Sequence, residues 1–274
     1  MNPRIFQFNG KRIVLGKKTY LMGILNVTPD SFSDGGRYVG VETAIRHAAS
    51  LVTSGVDFID IGAESTRPGY QPVAVDDEWA RLGPVIQAVR KKFPEIAISV
   101  DTQKAEIAHR AIQSGADIIN DVGGALGDSR MLATVGASQA GYIMMYNREP
   151  VAHVEMSDLV QQFQRRIQEA HEAGISAERI LVDPGLGFAY GLEENWRVLR
   201  DLEHLKGLGA GILVGPSRKR FLGAITGADP AQRDWATASI ASLVVGVGMD
   251  VVRVHEGAGV RQALLVADRW WRHA

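Results

Sequence analysis

Cysteine is absent from the chain. That removes disulfides, thiolate zinc sites and cysteine nucleophiles together, and leaves stability to a packed core. Long unbroken hydrophobic runs are also missing. The most apolar late segment, Ala238 to Val254, is interrupted by Ser242, Gly246, Gly248 and Asp250, so it reads as a buried helix and a strand rather than a membrane span. The start, Met1-Asn-Pro-Arg-Ile5, lacks the basic-then-apolar layout of a signal peptide, and a cytoplasmic location is expected. An excess of charge of either sign is missing too. A net charge of -1 argues against an overall pull on nucleic acid, and the basic residues are not interleaved with aromatics. Any anion site must be a local cluster. No Ser-His-Asp or zinc-ligand spacing is visible, and Trp235, Trp270 and Trp271 are read as packing residues.

What is present is a repeating unit. Eight apolar runs stand at Leu21–Leu25, Val56–Ile61, Ile96–Val100, Ile118–Ile119, Tyr142–Met145, Ile180–Val182, Ile212–Val214 and Val251–Val254. Continuous apolar strands imply burial on both faces, as in a parallel sheet. Segments of helical spacing lie between them: Val41–Val52, Glu78–Val89, Glu106–Ile112, Leu159–Ala173, Glu194–Leu205 and Ala236–Val247, with a short, weak one at Arg130–Val135. A length of 274 residues with 46% hydrophobic content, and no change of composition along the way, suits one domain over residues 1–274. The expected fold is an α/β (β/α)8 TIM barrel, with a doubly wound open sheet as the alternative. Before it, Ile5 to Leu15 alternates around Asn9-Gly10, the signature of a β-hairpin that caps one end of the core.

Each run ends in polar residues: Asn26, Asp60 with Glu64, Asp101, Asn120-Asp121, Tyr146-Asn147, Asp183, Ser217-Arg218-Lys219, and Arg253 with His255. In a barrel these ends share the face that carries the active site. Gly215–Arg220 and Arg253–His255 follow the seventh strand and close the eighth, where barrels often bind phosphate. Asp101, Asn120 and Asp183 have no cation beside them in sequence and suit a donor-rich neutral heterocycle. The competing role for Asp101 is to cap a helix from Thr102. The loops Ser31–Gly36 and Glu64–Gly69 are Gly- and Pro-rich and suit lids over a second substrate, or ordinary connections.

Several of these stretches are motifs. Gly23-Ile-Leu-Asn-Val-Thr-Pro-Asp-Ser-Phe-Ser-Asp-Gly-Gly36 and Asp60-Ile-Gly-Ala-Glu-Ser-Thr-Arg-Pro-Gly69 resemble the two long signatures of the dihydropteroate synthase family. Ser99-Val-Asp-Thr102, Asn120-Asp-Val122, Asp183-Pro-Gly-Leu-Gly-Phe188, Ser217-Arg-Lys-Arg-Phe221 and Arg253-Val-His255 follow in the family's order. The resemblance implies a pterin-binding barrel enzyme of folate synthesis, the target of sulfonamides. It would join 6-hydroxymethyl-7,8-dihydropterin diphosphate to 4-aminobenzoate with Mg2+ as cofactor, and would work as a homodimer. It further implies Asn26 as the Mg2+ ligand and a diphosphate contact, and Asp101, Asn120, Asp183 and Lys219 around the pterin. Arg253 and His255 would hold the diphosphate. Asp34, Thr66, Arg67, Pro68 and Ser217 would line the aminobenzoate site. Asp101, Lys219 and Arg253 would carry the catalysis.

Three positions depart from the family pattern: Tyr146 where histidine is usual, Tyr190 in place of lysine, and Glu256 in place of aspartate. Two other readings share a pterin-binding barrel. One is a methyltetrahydrofolate:corrinoid methyltransferase, which would not need the cluster of Ser217, Lys219, Arg253 and His255. The other is a non-catalytic pterin-binding paralogue.

Overall fold

A computed structural model describes residues 4–27, 36–64, 73–147, 155–188 and 190–272. Strands β1 (Ile5–Phe8) and β2 (Lys11–Val14) pair antiparallel, with Ile5 opposite Val14 and Phe8 opposite Lys11. Asn9 and Gly10 between them have φ of 45° and 76°, as a two-residue type I′ turn requires.

Eight further strands form a closed barrel: β3 (Tyr20–Asn26), β4 (Phe58–Gly62), β5 (Ala97–Asp101), β6 (Ile118–Asp121), β7 (Gly141–Met145), β8 (Ile180–Asp183), β9 (Gly211–Val214) and β10 (Val251–Val254). All neighbours are parallel, and β10 pairs with both β9 and β3 to close the ring. Around it stand α1 (Gly36–Thr53), α2 (Val75–Lys92), α3 (Ala105–Gln113), α4 (Met131–Gly136), α5 (Met156–Glu172), α6 (Leu192–Arg200), α7 (Arg220–Thr226), α8 (Asp234–Val247) and α9 (Ala258–Trp271).

Each expected strand is present, with its ends displaced by at most two residues. The helices differ in three places. The segment Glu194–Leu205 is not one helix: α6 ends at Arg200, and a 3-10 turn, Leu202–Leu208, continues. Leu202 and Leu205 are buried, so the apolar spacing runs on through the break and conceals it. Helices α7 and α9 were not anticipated, although Val260, Leu264 and Ala267 of α9 are buried at helical intervals. The three tryptophans read as packing residues are exposed instead. Trp235, Trp270 and Trp271 keep 83%, 73% and 51% of their surface in solvent. Helix α8 is apolar almost all round, so its sequence does not distinguish an inner face from an outer one.

The barrel interior has two halves. Side chains alternate along a strand, so Phe58 and Asp60 of β4 point inward while Ile59 and Ile61 pack beneath the helices. The lower half is apolar: Phe58, Ile118, Ile143, Leu181, Leu213 and Val251 meet Phe6, Phe8 and Leu15 from the hairpin. Phe8 lies 5.2 Å from Phe6 and 5.7 Å from Phe58, ring centre to ring centre. Each such phenylalanine contributes roughly 1.5–3 kcal/mol by burial. Glycine makes room for this plug: a Cβ on Gly141 would stand 2.7 Å from Phe6 Cζ and 3.0 Å from Phe8 Cβ. The hairpin therefore seals the N-terminal mouth. The upper half is polar.

Candidate active site

One inward residue near the C-terminal end of each of several strands builds the polar half. Asp60 comes from β4, Asp101 from β5, Asn120 from β6, Asp183 from β8 and Arg253 from β10. Arg253 stands at the centre. Its Nε donates to Asp60 Oδ2 at 2.6 Å and its second guanidinium nitrogen to Asp101 Oδ2 at 2.9 Å. Asn120 Nδ2 donates to the same Asp60 oxygen at 3.0 Å. That bond fixes the amide and leaves its oxygen as the acceptor facing the cavity. Asp60 is fully buried, and its other oxygen has no partner among the described residues.

Burial raises the Asp101 carboxyl to about 7, against the opposing pull of Arg253 and with further help from the nearby Asp60 charge. Asp183 is likewise raised by burial, opposed by the Gly185 N–H and by the charges of Lys219 and Arg253. Burial makes these carboxylates resist ionisation, and they gain from any ligand that brings N–H donors. Asp101 does not cap a helix. The helix after it begins at Ala105, whose N–H is accepted by Asp128 at 3.0 Å.

Asn120, Asp183, Lys219 and Arg253 line one small pocket open to solvent, completed by Val122, Met145, Leu186, Phe188 and Gly215. The Lys219 ammonium lies 4.2 Å from the centre of the Phe188 ring. Its stem passes so close to Gly187 that a Cβ there would meet Lys219 Cδ at 2.8 Å. Flat apolar walls, acceptors at the bottom and cations at the side suit a planar, donor-rich ring with an anionic group attached.

Ser217 and His255, assigned to different subsites from sequence, touch. Ser217 Oγ lies 3.0 Å from His255 Nδ1 and accepts the His255 backbone N–H at 3.2 Å. Arg218 points elsewhere: it grips Asp234 of α8 with two bonds, at 2.8 and 2.9 Å. Asp121 faces outward and organises the following turn, accepting from Gly123 N, Ala125 N and Tyr142 Oη. Asn26 is exposed at the end of β3 and does not line the cavity. Glu64 accepts the Val73 N–H at 2.8 Å and pairs with Lys104 at 2.5 Å. Lys104 also reaches the fully buried Glu78 at 2.6 Å. Asp34, Thr66, Arg67 and Pro68 lie outside the described residues.

Asp60 is the residue that sequence reasoning left without a role. An acid and an arginine, each inside a strand buried on both faces, are the signal that pairs Asp60 with Arg253 across 193 positions.

Residues 22–255 match the family described as pterin binding enzymes. The chain is 43% identical over 266 residues to the dihydropteroate synthase of a Synechocystis species, covering 94% of this chain and 92% of that protein. The crystal structure of the Clostridium difficile dihydropteroate synthase in the presence of pteroic acid superposes with a TM-score of 0.90 at 40% identity, covering 94% of this chain and 98% of the other. The Xanthomonas albilineans dihydropteroate synthase with 4-aminobenzoic acid gives 0.87 at 37% identity, covering 97% of each.

Proposed function

The chain belongs to the pterin-binding enzymes, in the dihydropteroate synthase family, and from that premise we propose how its own residues perform the family's reaction. It is a transferase of folate synthesis that condenses 6-hydroxymethyl-7,8-dihydropterin diphosphate with 4-aminobenzoate, releasing diphosphate and 7,8-dihydropteroate. The observation that carries this reading is the cavity shared by Asn120, Asp183, Lys219 and Arg253, with Asp101 bonded to Arg253 behind it.

Asp101, Asn120 and Asp183 accept the N–H groups of the pterin, and Lys219 supplies a cation beside its ring. Arg253 and His255 hold the diphosphate. The aniline nitrogen of 4-aminobenzoate is unprotonated at neutral pH, so no strong base is needed. Its lone pair forms the C–N bond to the exocyclic methylene carbon as the C–O bond to diphosphate breaks. The departing oxygen keeps the electron pair, and the nitrogen then loses one proton. Arg253 and His255 stabilise the leaving charge, while ionised Asp101 stabilises positive charge on the ring; preorganised electrostatics of this kind carries much of an enzymic rate. Ser217, bonded to His255, joins the diphosphate end to the aminobenzoate subsite, which it would line with Asp34, Thr66, Arg67 and Pro68.

Asn26 offers a single neutral oxygen at the exposed C-terminal end of β3. Among the described residues there is no cluster of three or more His, Asp or Glu able to hold a metal. That donor set fits a Mg2+ held mainly by substrate phosphate oxygens and water, and Asn26 would hold it. When bound, Mg2+ supplies charge neutralisation at the departing diphosphate. A homodimer through α8 and α9 is supported by their exposed Trp235, Leu243, Val266 and Trp270. Among the described residues no helix is long and apolar enough to cross a membrane; a cytoplasmic site of action and no nucleic-acid partner complete the reading.

The test is diphosphate release from the pterin substrate with and without 4-aminobenzoate and Mg2+. Release that needs both is expected. Pterin binding without release would instead identify a non-catalytic paralogue, and methyl transfer to cob(I)alamin a methyltransferase.

A further inference from the structure

Tyr146 and Tyr190, two positions that depart from the family pattern, meet in space. Their rings stack 5.9 Å apart with 4° between planes. They do not enter the cavity: both belong to the packing between barrel and helices, where Tyr146 also leans on Phe163 of α5. From there they reach the turn that presents Asp183. The Tyr190 hydroxyl donates to the Pro184 carbonyl at 2.5 Å. The Tyr146 N–H donates to the Asp183 carbonyl at 2.8 Å. Gly185, at a φ of 76°, runs so close to the Tyr146 carbonyl that any Cβ would collide with it. Its N–H in turn donates to Asp183 Oδ1 at 2.8 Å. Three consecutive residues, Asp183, Pro184 and Gly185, are thus held from behind by the two tyrosines.

We propose that the stacked pair Tyr146–Tyr190 is a positioning unit for Asp183 and sets the affinity for the pterin ring through it. The proposal rests on the reading of the cavity as a pterin site. The chemistry favours such a brace. A buried carboxylate whose bonds must match fixed N–H groups loses affinity when its backbone drifts by a fraction of an ångström. Proline donates no N–H, so the turn has one fewer internal tie, and the Tyr190 hydroxyl supplies an external one.

Tyr190→Phe keeps the stacked ring and deletes only that bond. The probe is free 6-hydroxymethylpterin, titrated by calorimetry. The Kd is expected to rise about five-fold, which corresponds to one hydrogen bond of about 1 kcal/mol. The KM for 4-aminobenzoate should stay within about two-fold, because the brace acts on one subsite. In an Asp183→Asn background the same substitution should add less than about two-fold, whereas with Asn120→Ala it should keep its full effect, since only coupled residues are non-additive. An unchanged Kd, or the same loss in the Asp183→Asn background, overturns the proposal while leaving the pterin reading intact. Absence of pterin binding by the unsubstituted protein overturns both.

Discussion

Arg253→Met is the substitution that most directly interrogates the site. Arg253 is held between Asp60 and Asp101 at 2.6 and 2.9 Å, and both acids are nearly or wholly buried. Methionine fills a similar volume without charge, so two carboxylates face each other in low dielectric. Removing one partner of a buried ion pair costs roughly 3–5 kcal/mol. The cost should depend on pH in a defined sense. A carboxyl whose folded pKa exceeds its unfolded value gives stability that is full below the unfolded pKa and is lost as pH rises through the folded one. With Arg253 present, Asp101 is raised to about 7, so in the intact protein this loss is complete a little above neutrality. Without the guanidinium the folded pKa climbs further and the loss continues. Each extra pH unit with one retained proton is about 1.4 kcal/mol. Between pH 7 and 8.5 the variant should therefore fall a further ~2 kcal/mol below the intact protein, while the gap between pH 5.5 and 7 stays nearly constant. Urea unfolding of both proteins at pH 5.5, 7 and 8.5 measures this directly. A deficit that is the same at pH 7 and 8.5 would refute the argument that Arg253 holds Asp101 down.

Two further outcomes test the scaffold. Gly141→Ala should destabilise the fold by about 1–3 kcal/mol, the usual cost of overpacking, because the new methyl group stands 2.7 Å from Phe6 Cζ; a denaturation midpoint equal to that of the unsubstituted protein would show that the hairpin plug yields freely. Lys104→Met strands the fully buried Glu78, together with Glu64, and should cost about 3–5 kcal/mol in chemical denaturation. Adding Glu78→Gln should recover part of that loss, and no recovery would count against charge as the cause.

The barrel was legible because parallel strands covered by helices on the outside and side chains within must be apolar on both faces, and eight such runs stood out. The polar strand ends were legible as a class, but not their partners. Nothing near Asp101 or Asp183 in the chain indicates that one arginine on the last strand reaches Asp60 and Asp101 together. Asp60 passed as an ordinary strand-end acid, although an unpaired charge there would be costly. Arg218 looked like part of the anion cluster, yet its backbone turns through a φ of 58° and its side chain leaves for Asp234. Tyr146 and Tyr190 showed only as departures. Their contact depends on how the turn after β8 folds over the end of β7, which no local pattern encodes.

The sealed floor has a consequence for traffic. With Phe6, Phe8 and Leu15 seated beneath the polar chamber, the barrel is, among the described residues, a cul-de-sac that opens at the strand tips. Whatever lies deepest must come in first and go out last. On the proposed reading, a heterocycle held by Asn120 and Asp183 would be queued behind any partner docked nearer the rim, and the order of arrival and departure would follow from the architecture rather than from relative affinity.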